Sequence, residues 1–154
     1  MVNFVSAVAG IIAAFFSAMV YILMTRKTTL VLTFSNDKDT IEYKAGVNYA
    51  MSFSLRNVRR TSAHNVEAVI YFPDNLRPRS RDNSYPEKIE YCPDPERVVL
   101  RVDNLPPESN PVGRHISIVD FPAEPRRYEF RYQILGDKVR KCEGRLVVQT
   151  RSQG

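Results

Sequence analysis

No charged side chain occurs between Phe4 and Met24, and the run closes on Arg26 and Lys27. At about 1.5 Å per residue, this stretch as a helix is about 30 Å long, the thickness of a bilayer's hydrocarbon core. It shows no polar face such as a surface helix needs. The rest of the chain alternates, turns often and carries most of the charge. The pattern predicts a transmembrane anchor over residues 1–27, a water-facing domain over 28–150 and a flexible tail over 151–154. A cleaved signal peptide fits less well. Nothing basic precedes Phe4, the apolar run is long, and Tyr21-Ile22-Leu23-Met24-Thr25 is a poor cleavage site. The remainder of the chain is too small to surround this segment as a core helix.

The Lys/Arg distribution sets an expected orientation. Before the helix stand only Met1, Val2 and Asn3, whereas Arg26, Lys27, Lys38 and Lys44 follow it closely. This predicts the N-terminus outside and the C-terminal domain in the cytoplasm, with an exported domain as the alternative. Within the helix, Ser6, Gly10, Ala14 and Ala18 lie four apart, and Ala9, Ala13 and Ser17 form a second row beside them. Such a stripe lets two helix backbones approach closely in lipid. The expected partners are the lipid bilayer and other transmembrane helices, of the same chain or of a partner subunit. Arg26 and Lys27 are the expected membrane-interface residues.

The 154 residues leave about 130 after the anchor, enough for one domain with its own core. The net charge of +5 is held partly by Arg26 and Lys27, so the domain is only mildly basic. Ten prolines and eight tyrosines suit a strand-and-loop protein. Cys92 and Cys142 make no metal motif with His64 and His115. They read as ordinary half-buried thiols, reduced in the cytoplasm, with a disulfide plausible only after export.

Period-two alternation marks strands over 29–36, 40–44, 48–57, 64–72, 88–91, 97–102, 115–119, 127–135 and 143–150. Leu30, Leu32 and Phe34, then Tyr49, Met51, Phe53 and Leu55, Val66, Ala68, Ile70 and Phe72, Val98, Leu100 and Val102, and Tyr128, Phe130, Tyr132 and Ile134 each share one face, expected to point inward. Turns are expected at 36–39, 45–46 and Gly136-Asp137. Residues 73–86, with three prolines and three arginines, read as an exposed loop. Eight or nine short strands without helical period predict an all-β, immunoglobulin-like antiparallel sandwich after one N-terminal helix.

Three pieces carry a family resemblance: Phe53-Ser-Leu-Arg-Asn57, Ala63-His-Asn-Val66 running into Ile70-Tyr-Phe-Pro73, and Val102-Asp-Asn-Leu-Pro-Pro-Glu-Ser109. With the Gly144-Arg-Leu-Val-Val148 end, they resemble the immunoglobulin-like repeats called cell-adhesion-related domains in bacteria and archaea. The resemblance covers roughly residues 28–150. It implies a spacer or binding module, often outside the cell. The family's usual glycine after Asn57 is replaced here by Arg59-Arg60-Thr61-Ser62.

No catalytic constellation is legible. There is no Gly-x-Ser-x-Gly, no paired carboxylates outside a turn and no glycine-rich phosphate loop. An enzyme is not expected, nor a cofactor or metal. Arginines cluster at 56, 59 and 60, at 77, 79 and 81, and at 126, 127 and 131. Most tyrosines and phenylalanines fall on buried faces, with only Tyr71 and Tyr85 free to be exposed, so nucleic-acid binding is not the expected role. Arg77, Arg79 and Arg81 form the candidate binding loop, for an acidic partner or an anionic leaflet. The expectation is an accessory or scaffolding subunit that packs its helix in a membrane complex and binds a protein partner through the sandwich. The alternative is an exported, membrane-tethered adhesion or envelope module.

Overall fold

Thr28 is where the N-terminal helix joins the domain, and it is buried completely. Its N–H donates to the Lys138 carbonyl (2.8 Å), and its carbonyl accepts from the Arg140 N–H (2.9 Å). Its hydroxyl donates to the Thr61 carbonyl (3.2 Å) and lies against the Thr61 hydroxyl. The computed structural model describes residues 2–25, 27–73, 76, 78–81, 89–93, 96–108 and 112–152, with the side chains of 2–7, 23–25, 78–81, 89–91, 93 and 112–118 excepted.

The uncharged run forms one helix, α1 (Val2–Thr25). All of its described side chains, Val8 to Ile22, are exposed. Among the described residues no helix is long and apolar enough to cross a membrane. The expected transmembrane span is therefore found as a helix, Val2–Thr25, but is not shown as a membrane crossing.

Ten strands follow among the described residues, one or two more than the alternation implies: β1 (Leu30–Phe34), β2 (Thr40–Lys44), β3 (Asn48–Asn57), β4 (Ala63–Tyr71), β5 (Pro78–Arg81), β6 (Ile89–Pro93), β7 (Glu96–Leu105), β8 (Val112–Asp120), β9 (Arg127–Asp137) and β10 (Cys142–Arg151). They make two sheets, β1-β3-β8-β5 and β2-β10-β9-β4-β7-β6. Every pairing is antiparallel except β2 with β10, where Val147 stands opposite Thr40 and Arg151 opposite Lys44. The turn after β1 carries the chain across to the second sheet. Asp37 takes a positive φ of 60° there, and the Asp39 carbonyl accepts from the Val147 N–H (2.8 Å).

The core lies between the sheets. Of the inward residues expected on β3, β4, β7 and β9, all but Tyr49 and Tyr132 are buried, and Phe53, Ile70, Leu100 and Phe130 are each at most 2% exposed. Phe34, Phe53, Phe130 and Phe72 form a chain of ring contacts joining the sheets, with centroids 5.2–6.4 Å apart. Tyr132 is only half-buried, because its ring lies over Gly144 on β10, directly opposite in register. A side chain at Gly144 would strike that ring, so glycine fits here for space.

Two expectations need correction, and one alternative falls away. The 73–86 loop contains β5, an edge strand paired with β8. Proline at its first residue and arginines along it are tolerated because an edge leaves one side unpaired. The turn expected at Gly136-Asp137 falls one step later. Both residues belong to β9, and Lys138 takes the positive φ of 58°. Cys92 and Cys142 are free and half-buried, on β6 and β10. Those strands are four positions apart in the sheet, about 19 Å at normal strand spacing, far beyond the roughly 7 Å a disulfide can bridge. An intramolecular disulfide is excluded in either compartment.

Candidate interaction surfaces

The register places side chains in rows that single strands do not reveal. On the outer face of the six-stranded sheet, Arg145 stands opposite Arg131, Arg131 opposite Tyr71, and Tyr71 opposite Arg97. Three arginines and a tyrosine thus cross four adjacent strands. Like charges directly opposite are unfavourable. Arg145 is partly relieved by Glu129, whose carboxylate lies 3.3 Å away and also pairs with Arg127 at 3.2 Å. Arg131 and Arg145 border a cleft of about 460 Å³ with Tyr71, Gln133 and Glu143. On its rim, Gln133 and Lys141 reach Glu143 at 3.0 and 2.6 Å. The Lys141 hydrogen bond, first, and its charge hold the Glu143 carboxyl below the usual range. Burial chiefly, then Cys142 and Asp39, push the Tyr132 phenol above its ordinary value. The cleft suits a carboxylate or another anion.

A second basic surface lies where α1 joins the sandwich. β1 begins opposite the end of β3 (Leu30 with Asn57), β4 begins opposite the end of β7 (Ala63 with Leu105), and His64 faces Asp137 at the end of β9. Segments 27–29, 58–62, 106–108 and 138–141 therefore meet at one end. Asn57, fully buried, organises it. Its amide donates to the carbonyls of Thr61 (2.7 Å) and Leu105 (3.2 Å), and its side-chain oxygen accepts from the Arg59 N–H (3.0 Å).

The expected site residues are dispersed. Gly10, Ala9, Ala13, Ala14, Ser17 and Ala18 are exposed on α1, and a Cβ at Gly10 would meet nothing within 4 Å. Ser6 lies on the same helix. Lys27 is exposed at the junction, while Arg26 and Arg77 lie outside the described residues. Arg79 and Arg81 sit on β5, where Pro78 pairs with Val119 and Arg81 with Ser117. Val119 in turn faces Tyr49 at the start of β3, eight residues from Asn57. That loop is thus remote from the helix junction. The group 126, 127 and 131 is divided: Arg126 and Arg127 stand at the far end, and Arg131 lies within the sheet. Lys138, Arg140, Lys141, Arg97 and Arg145 were not singled out by sequence. The basic turn Lys138-Val-Arg-Lys141 was a usable signal for the first three. The Arg145–Arg131–Arg97 row needs the register. Among the described residues no group of three or more His, Cys, Asp or Glu could hold a metal.

No protein-family model matches the chain, and no curated protein matches it in sequence. Solved structures do match. The seventh ScaB type I cohesin from Pseudobacteroides cellulosolvens is 8% identical, with a TM-score of 0.51 over 83% of this chain and 94% of that one. In fold, the sandwich is similar to a cohesin. A cohesin–dockerin complex from Clostridium thermocellum provides a match at 13% identity, TM-score 0.48, covering 80% of this chain and 99% of that one. A human PapD-like domain matches at 12% identity, TM-score 0.39, covering 84% and 89%. The immunoglobulin-like architecture expected from the sequence is thus found at the level of fold.

Proposed function

We propose that the chain is a single-pass, membrane-anchored accessory or scaffolding subunit. Its helix packs beside other membrane helices, and its sandwich binds a protein partner. One observation carries the anchoring: Ile11, Phe15 and Phe16 on α1 are 70%, 68% and 62% exposed. Large apolar side chains on one helix require a cover. Lipid suits them because the helix is apolar on all sides. The uncharged sequence from Phe4 to Met24 has the length of a span, and Arg26 and Lys27 favour a cytoplasmic sandwich. The protein-binding role is supported by the Arg145–Arg131–Arg97 row on a rigid sheet, which suits an acidic partner segment.

Cross-linking in native membranes followed by mass spectrometry tests this reading. The full chain is expected to cross-link through α1 to another membrane helix. Replacing Gly10 and Ala14 by leucine is expected to reduce that product, since bulky groups hold the backbones apart. An undiminished product would mean that the small residues do not form the contact. Products through the sandwich are expected to involve the face bearing Arg131 and Arg145, and to fall when both become glutamate.

A further inference from the structure

We infer that the helix-proximal end of the sandwich is a docking surface for anionic phospholipid headgroups, an inference that rests on the anchoring proposed above. The four segments meeting at that end hold six cations: Lys27, Arg59, Arg60, Lys138, Arg140 and Lys141. They hold one acid, Glu108. All six cationic residues are exposed. At the opposite end, the described connections 45–47, 72–73, 76 and 121–126 hold only Glu124 and Arg126. The asymmetry follows the helix junction.

The acids facing this end do not neutralise it. Glu108 lies 3.5 Å from Arg60, with side chains 68% and 94% exposed. Lys141 pairs with Glu143, both 61% exposed. Pairs so open to water bind weakly and exchange partners easily. Asp137 accepts a hydrogen bond from Asn65 (2.5 Å), and Asp103 lies two residues before the end of β7. Counting these three rim acids (Asp103, Asp137 and Glu143) with Glu108 still leaves two cations in excess.

The surface also has a shape. Lys27, Val58, Arg59, Arg60, Thr61 and Glu108 line an open cleft of about 530 Å³. Val58, 40% exposed, adds an apolar tip beside the two arginines. Cations around an apolar residue match the boundary between headgroup and acyl chain. The separation is fixed by chain length. Only residues 26 and 27 lie between the end of α1 at Thr25 and the clamped Thr28. Three residue steps reach at most about 10 Å. With Thr25 at the interface, Thr28, to which segments 61 and 138–140 are bonded, lies within about one screening length of it.

The test uses the full chain in nanodiscs of phosphatidylcholine alone, or with about one third phosphatidylglycerol, and backbone hydrogen exchange. Amides of 58–62 and 138–141 are expected to exchange about tenfold more slowly in the anionic discs, and to lose that protection in high salt. Arg59→Ser with Arg60→Ser should abolish it while the chain still co-elutes with the discs and keeps its melting temperature. Arg59→Lys with Arg60→Lys should retain most of it. Co-elution without lipid-dependent protection, or equal protection in both discs, would overturn the docking and leave the anchoring intact. A chain that does not associate with either disc would overturn the anchoring, and the docking with it.

Discussion

Replacing Phe53 by alanine is expected to cost about 3–5 kcal/mol of folding stability, a large share of what a domain of this size possesses. Phe53 is fully buried at the middle of β3. Its ring touches Phe34 in its own sheet at 5.6 Å and Phe130 in the opposite sheet at 6.4 Å. Removing it leaves a cavity between two sheets that each have a rigid ladder, so the walls cannot close over it. Denaturant unfolding of the full chain in detergent measures the loss. A variant as stable as the parent would mean that the phenyl group does not occupy the space between the sheets.

Replacing Asn57 by alanine is expected to cost about 2–4 kcal/mol, although it removes little volume. Three hydrogen bonds converge on this buried amide; without it the Thr61 carbonyl keeps only the Thr28 hydroxyl, and the Leu105 carbonyl and the Arg59 N–H lose their side-chain partner. The effect should extend beyond stability. The Arg59 N–H is held by the Asn57 oxygen, and the Arg59 carbonyl accepts from the Glu108 N–H (3.1 Å). Loosening Asn57 should therefore free the whole 58–62 turn. Hydrogen exchange should show faster opening at Arg59 and Glu108 before the strands open. Uniform destabilisation, with no local effect at that turn, would contradict the role given to Asn57.

The strands were legible wherever one face is buried and the other wet. β2 and β3 begin and end where alternation places them, because a one-residue slip would put Met51, Phe53 and Leu55 into water. β5 was not legible. Its sequence, Pro78-Arg-Ser-Arg81, has no apolar alternation, and its proline and arginines resemble a loop. The turn after β9 was misplaced by one step because Gly136 suggested a turn by type. In the fold it is the residue packed against Val139 and the His64 carbonyl, and Lys138 takes the left-handed conformation instead. The candidate surfaces were half legible. Arg59 and Arg60 stood out as a pair in sequence. Lys138, Arg140 and Lys141 join them only because Thr28 bonds to both the 61 and the 138–140 segments. The Arg145–Arg131–Arg97 row depends on pairing between strands, which no single-strand pattern contains. The turn after Asn57 closes without a glycine because the Asn57 side chain bonds to the Arg59 N–H and the Thr61 carbonyl.

If α1 holds the protein in a bilayer as proposed, the full chain should resist alkaline extraction of membranes from cells making it. Alkali strips proteins bound by charge or by other proteins, while a helix surrounded by lipid stays. The predicted result is that the full chain remains in the membrane pellet. Its release into the supernatant would mean that α1 is not surrounded by lipid.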